Sequence, residues 1–266
     1  MEGTLVYIAI LIALGIMLLP IIWLILTSLR PLVEIASTRL MFIPHQLTFD
    51  NYVQVFTVYH TTIYLRNSII VCVGVVATNL VIGPPAAYAL ARYKFRGEGL
   101  FFIFIIFMRM IPLVAIMVPL FVIFSRMHLL NTLASLIIAH TAFKLPVTIW
   151  LLRAFIMDIP QELDDSARVD GCSPLGVLVR ITLPLSMPGV IAGSLLVFIP
   201  AVGEYVIPSL LGRTDQLMIG RVLSDEFFSN RDWPVASAVA IAMLVLLVIP
   251  IVLFQRFQNR ELEVRK

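Results

Sequence analysis

Charge is scarce in this 266-residue sequence: Asp, Glu, Lys and Arg together make up 13% of it, against about 25% in a soluble domain. So little charge does not coat a globule of this size with a soluble surface. Cysteine is nearly absent. Cys72 lies in an apolar run and Cys172 in a polar stretch, which excludes a disulfide scaffold. The four histidines, His45, His60, His128 and His140, show no metal-ligand spacing, so no metal site is expected. Neither a Gly-x-x-x-x-Gly-Lys-[Ser/Thr] phosphate loop nor a Gly-x-Gly-x-x-Gly turn occurs, so the chain lacks both devices for cradling a nucleotide. No Ser/His/Asp pattern suggests an enzyme. These absences exclude a soluble enzyme, a secreted scaffold and a nucleic-acid binder.

What is present is apolar. Hydrophobic residues fill 60% of positions, and Gly3–Leu29, Asn67–Ala91, Ile181–Gly203 and Trp233–Gln255 carry no charge at all. Each reaches the roughly 20 residues a spanning helix needs. Continuous apolar runs also exclude a β-barrel, whose strands alternate polar and apolar. The predicted fold is all-α, a polytopic membrane protein with six transmembrane helices forming one domain over residues 1–266. The spans are expected at about Leu5–Leu26, Ser68–Ala91, Leu100–Phe124, Leu133–Phe155, Val190–Leu211 and Pro234–Phe254. The first has no basic n-region and no small-residue cleavage site before Arg30, and is read as a mature span rather than a signal peptide.

Six spans place both termini on one side. The links on that side hold Arg92, Lys94, Arg96, Arg153, Arg168, Arg180, Arg256, Arg260, Arg265 and Lys266; the opposite loops hold Arg30, Arg39, Arg66, Arg126, Arg213, Arg221 and Arg231. Lys and Arg accumulate in cytoplasmic loops, most tellingly beside a helix end, as in the Arg92–Arg96 cluster. Both termini are therefore predicted in the cytoplasm of a multi-pass inner membrane protein.

The longest polar link, about 156–189, falls on the same side. Loops of this length in compact architectures are usually functional. Pro160 suits the first position of a helix, and Glu162, Asp164 and Asp165 suit its positive end. Leu163, Ala167 and Val169 supply an apolar edge, and Gly171 a stop. Ser173-Pro174 begins a second short helix, which Leu183-Pro184 ends. The expected element is a helix–turn–helix, apolar on one face and acidic on the other, suited to docking in a groove of a soluble partner.

Asp165-Ser166-Ala167, then Gly171, then Ile181-x-Leu183-Pro184 resembles the EAA signature of binding-protein-dependent ABC importer permeases. The departures from Glu-Ala-Ala are Asp165 and Ser166; the spacing to Gly171 and Pro184 is kept. The resemblance implies a type I importer bundle and a coupling loop that seats in an ATP-hydrolysing subunit, through Glu162, Asp164, Asp165, Ser166, Ala167, Asp170, Gly171, Ile181, Leu183 and Pro184. It also implies the partners: ATP-binding cassette ATPase subunits, a second permease subunit (identical or homologous), an extracytoplasmic solute-binding protein and the lipid bilayer. On this reading the chain binds no cofactor, and ATP and Mg are used by the ATPase. Up to about residue 187, segments such as Ala86-Ala87-Tyr88-Ala89-Leu90-Ala91 and Arg109-Met110-Ile111-Pro112 resemble the maltose/trehalose-type sugar branch. From about residue 188, segments such as Phe198–Pro208 and Phe227–Ala238 resemble the spermidine/putrescine branch. The resemblance thus implies transport of sugar or oligosaccharide, with polyamine as the alternative.

Ionisable groups inside spans are functional candidates because burying them in lipid is expensive. Arg109, Lys144 and Glu204 qualify, each with an interhelical packing role as the other reading. Glu204 is bracketed by Pro200, Gly203 and Pro208, helix breakers tolerated where backbone lines a cavity. Its carboxylate would attract a cation, on which Tyr205 would stack. A self-contained channel or secondary transporter is the rival class; it would need charged relays and usually internal repeats, and the first three spans do not recur in the last three.

Overall fold

The computed structural model describes residues 2–35, 44–59, 61–212 and 217–264. Arg39, His60, Arg213, Asp215, Arg265 and Lys266, all weighed above or lying in the loops discussed, are outside these residues. Regular structure among the described residues is helical: α1 (Glu2–Ser28), α2 (Leu32–Ile35), α3 (Asp50–Thr57), α4 (Thr61–Arg92), α5 (Glu98–Phe107), α6 (Leu113–Arg126), α7 (Leu133–Met157), α8 (Gln161–Val169), α9 (Pro174–Val177), α10 (Leu183–Leu185), α11 (Met187–Val202), α12 (Val206–Leu211), α13 (Ile219–Ser224) and α14 (Trp233–Val264).

Of the six expected spans, four correspond to the helices α1, α4, α7 and α14, which are unbroken and long and apolar enough to cross a membrane. The other two predicted spans are broken. The third breaks by 96° between Glu98–Met110 and Leu113–Arg126. Proline disfavours helical backbone in the residue before it, and Ile111, preceding Pro112, is extended with ψ 121°. The fifth is also interrupted: α11 stops at Val202, and Gly203-Glu204-Tyr205 separates it from α12. By contrast Pro84 and Pro85 lie inside α4 without ending it, as neighbouring helices permit in membranes.

The core pair is α4 and α7, with α11 packed on both and α14 on α11 and α1. Lipid provides no hydrophobic drive between helices, so small residues and interhelical hydrogen bonds hold them. Gly83 of α4 lies so close to α7 that a Cβ there would meet Thr148 Cγ2 at 2.8 Å. Beside it, the Thr148 hydroxyl donates to Asn79 Oδ1 at 3.1 Å. Buried apolar residues form two clusters along this pair. One includes Val71, Val75, Leu136 and Val197, with Ile219 and Val239 beyond. The other includes Tyr88, Leu152 and Ile156 at the end where α8 sits, together with Ala167, Val177 and Leu178 of the loop itself. Helix α1 presents large apolar side chains on every side, Tyr7, Leu11, Met17 and Leu19 among them, the pattern of a helix facing lipid or another subunit.

Candidate functional site

The loop helix α8 is held to the bundle by a buried ion pair. Arg92, the last residue of α4, places Nε 2.7 Å from Asp164 Oδ2, with side-chain exposures of 5% and 1%. The same guanidinium donates to the Ile159 carbonyl at 2.8 Å, and Thr182 donates to the other Asp164 oxygen at 3.2 Å. One carboxylate thus joins the end of a spanning helix to both halves of the loop. Around it, Arg168 donates to the hydroxyls of Tyr88 and Tyr93 at 3.3 and 3.2 Å. Arg153 of α7 donates to the Leu90 carbonyl, pairs with Glu98 at 3.2 Å and lies 4.5 Å over the Phe102 ring. Arginine suits such sites because its planar fork bonds and stacks together.

This corrects the expected division of α8 into an apolar and an acidic face. Asp164 and Ala167 point inward and are buried; Glu162, Leu163, Asp165, Ser166 and Val169 point outward, with Val169 88% exposed. At 100° per residue, positions 164 and 167 lie about 60° apart and 169 falls on the opposite side, while 163 flanks the buried side, about 40° from 167, and is still 44% exposed. The outer face is therefore mixed, and Leu175, Val179 and Leu185 add further exposed apolar groups along the loop. Pro160 stands at the cap position, one residue before the helix.

Gly171 does terminate α8. With φ +86°, its N–H reaches the Arg168 carbonyl at 3.0 Å and that of Cys172 the Ala167 carbonyl at 2.9 Å, a complete Schellman closure. Ser173 then caps α9, accepting from the Gly176 N–H at 3.2 Å. The second helix ends at Leu185, one residue past the expected Leu183-Pro184 stop. Leu178–Thr182 winds as a π turn in which the Leu183 N–H reaches the Leu178 carbonyl. The widened turn accommodates Pro184, and the chain bends by 82° only before Met187. Ile181 and Leu183 are half-buried; Asp170, Gly171 and Pro184 are exposed.

The three charged residues of the spans meet in one place. Arg109 stands in the turn at the break of the third span, Lys144 on α7, and Glu204 at the break between α11 and α12. All three line a cavity of about 350 Å³, with His140 and Phe143. Arg109 donates to the Phe143 carbonyl at 3.3 Å. Glu204 accepts from the Val206 N–H at 2.7 Å and so caps α12. Tyr205 is 47% exposed and does not line the cavity; its carbonyl accepts from the Ser209 hydroxyl. His140, which showed no ligand spacing in the sequence, is fully buried here with both ring nitrogens unpartnered.

At the opposite end from α8, Arg221 pairs with Asp225 at 2.8 Å and Asn230 donates to Glu226 at 3.0 Å. Burial pushes the Glu226 carboxyl above its ordinary value.

Residues 80–264 match the family described as the binding-protein-dependent transport system inner membrane component. The chain belongs to this family. Its relatives include the sulfoquinovosyl glycerol transport system permease protein SmoH of Agrobacterium fabrum, 35% identical over 241 residues, covering 90% of this chain and 84% of the relative. The trehalose/maltose transport system permease protein MalG of Thermococcus litoralis is 33% identical, over 90% of this chain and 87% of that protein. Among solved structures, a bacterial ABC transporter involved in import of the acidic polysaccharide alginate has the same fold, with TM-score 0.73 at 23% identity over 97% of this chain and 95% of that one. This inner membrane component therefore carries its clamped α8 within a bundle of the importer type. Arg92, Tyr88, Arg153 and Thr182 belong to the clamp but escape sequence reasoning, because a basic residue at a helix end reads equally well as a topology signal.

Proposed function

We propose that this chain is a permease subunit of an ATP-driven, binding-protein-dependent importer of sugars or oligosaccharides, forming half of the translocation pathway. The observation that carries this reading is α8: an outward face of Glu162, Leu163, Asp165, Ser166 and Val169 on a helix anchored from behind by the buried Arg92–Asp164 pair. A docking helix must pass force to the bundle, and a helix tied to α4 through a buried ion pair moves with it. The loop 156–189 is thus the element seated in the ATPase subunits, which bind ATP and Mg. A second permease subunit completes the pathway, and an extracytoplasmic binding protein delivers solute. Both termini and the loop lie in the cytoplasm on this reading, supported by the Arg and Lys of that side. Closure of the ATPase pair displaces α8 and, through Arg92, α4, rocking the bundle between two states.

Sugar is favoured over polyamine by two observations. Relatives named for sulfoquinovosyl glycerol, trehalose/maltose and arabinooligosaccharides each match over 90% of the chain, a span that necessarily runs well past residue 187. Glu204, the acid that suggested a cationic substrate, caps a helix and shares its cavity with Arg109 and Lys144. The test is Leu163→Asp with Val169→Asp in the reconstituted importer. Uptake and solute-stimulated ATP hydrolysis should be lost while the subunit still inserts in the membrane; uptake at the wild-type rate refutes the docking role.

A further inference from the structure

We propose that the cavity between the two broken helices is an anion subsite, receiving the carboxylate or sulfonate of an acidic sugar during transport. The inference rests on the sugar-permease reading and narrows its substrate.

The polar groups facing the cavity are unequally divided between donors and acceptors. Arg109 spends one hydrogen bond on the Phe143 carbonyl, at a long 3.3 Å, leaving most of its five N–H donors uncommitted. The Lys144 ammonium makes no ion pair or hydrogen bond among the described residues. His140 is fully buried with both ring nitrogens unpartnered. Against these stand the acceptor nitrogen of a neutral His140 and the carboxylate of Glu204, one of whose oxygens already receives the Val206 N–H at 2.7 Å. Helix α6, 14 residues long, also begins in the lining, at Leu113. Half-helix N-termini at breaks in spanning helices carry positive dipole ends and recur at sites for anionic groups.

His140 is buried without a partner, which is costly, and so is an unpaired ammonium within a span; Arg109 is exposed and free to turn its remaining donors to a ligand. A sugar bearing an oxyanion satisfies these groups together: arginine binds carboxylate and sulfonate oxygens through two parallel hydrogen bonds, lysine adds a point charge, and a sugar hydroxyl can serve the acceptor nitrogen of a neutral His140. A neutral sugar leaves the second cation uncompensated. The volume, about 350 Å³, lies in the range of small-molecule sites, about 300–1,000 Å³, and suits one sugar unit.

The experiment uses the intact permease–ATPase complex in nanodiscs of neutral phosphatidylcholine, without binding protein, titrated calorimetrically with three probes: 6-sulfonated glucosyl glycerol, glucuronosyl glycerol and neutral glucosyl glycerol. Both acidic probes should bind about tenfold or more tighter than the neutral one. Lys144→Gln and Arg109→Gln should each erase that preference, Lys144→Arg should keep it, and Arg109→Lys should retain only part. Equal affinity for all three probes overturns the proposal, as does a preference that survives both glutamine variants. ATP hydrolysis of the same complex with sugar-loaded binding protein separates the two levels. Stimulation without acid preference removes the anion subsite alone; no stimulation by any sugar removes the sugar reading beneath it.

Discussion

Replacing Asp164 by Ala strands the guanidinium of Arg92, a side chain only 5% exposed in the intact pair, beside an empty socket. At a separation of 2.7 Å the pair attracts by roughly 6 kcal/mol at an effective dielectric near 20, much of which offsets the desolvation of both groups. Removing one partner of a buried pair costs about 3–5 kcal/mol, because the remaining charge is stranded. The hydrogen bond from Arg92 to Ile159 survives, which puts Asp164→Ala near the lower value. For a chain of this size that is a fall in Tm of about 6–12 °C. Arg92→Leu with Asp164→Leu should recover most of it, since a paired substitution by apolar groups strands no charge. The assay is the thermal transition of the assembled transporter for wild type, Arg92→Ala, Asp164→Ala and the double alanine variant. Strong coupling is expected, together with a greater loss of solute-stimulated than of basal ATP hydrolysis, because α8 remains present but no longer drives α4. Additivity of the two single effects within about 0.5 kcal/mol would refute the clamp.

Gly171→Ala forces a Cβ into φ +86° and should destabilise by about 1–2 kcal/mol, with Gly171→Asn milder; the same thermal transition reads both. Gly83→Ala brings a Cβ to 2.8 Å from Thr148 Cγ2 and should cost about 1–3 kcal/mol. Thr148→Ser in that background removes the offending methyl while keeping the hydroxyl bonded to Asn79, so a failure to recover stability would argue against the close α4–α7 approach. Glu226→Gln tests the raised carboxyl at the other end. A carboxyl whose folded pKa lies above its unfolded value favours folding fully below the unfolded pKa and loses that contribution as pH rises through the folded pKa. The glutamine variant should therefore exceed wild type in Tm at neutral pH, and the difference should vanish below roughly pH 4.5. A difference independent of pH would exclude ionised Glu226 as its source.

The bundle was legible in the sequence to the extent that solvent dictates composition. The apolar runs at Gly3–Leu29 and Trp233–Gln255 mark α1 and α14 without reference to any neighbour, because lipid demands apolar side chains on each residue it touches. Gly171 as a helix stop was equally legible, since its chemistry is local. The break at Ile111-Pro112 was visible as a proline, but its 96° angle was not: the bend is set by what α5 and α6 pack against. Asp164 was misread for the same kind of reason. By composition it groups with Glu162 and Asp165, although helical spacing sets it about 160° from Glu162; that this side is the inward one follows from Arg92, seventy-two positions earlier, offering a buried charge.

By itself, then, the sequence determined the solvent, the approximate spans, the loop and the family signature, all properties of local runs and fixed spacings. Only the tertiary structure decided which face of α8 is free and which is tied to α4. It also brought Arg109, Lys144 and Glu204 from three separate spans to one cavity and revealed His140 there without a partner. Those outcomes depend on the rotation of each helix and the angle of each break, which are set by contacts between residues far apart in the chain.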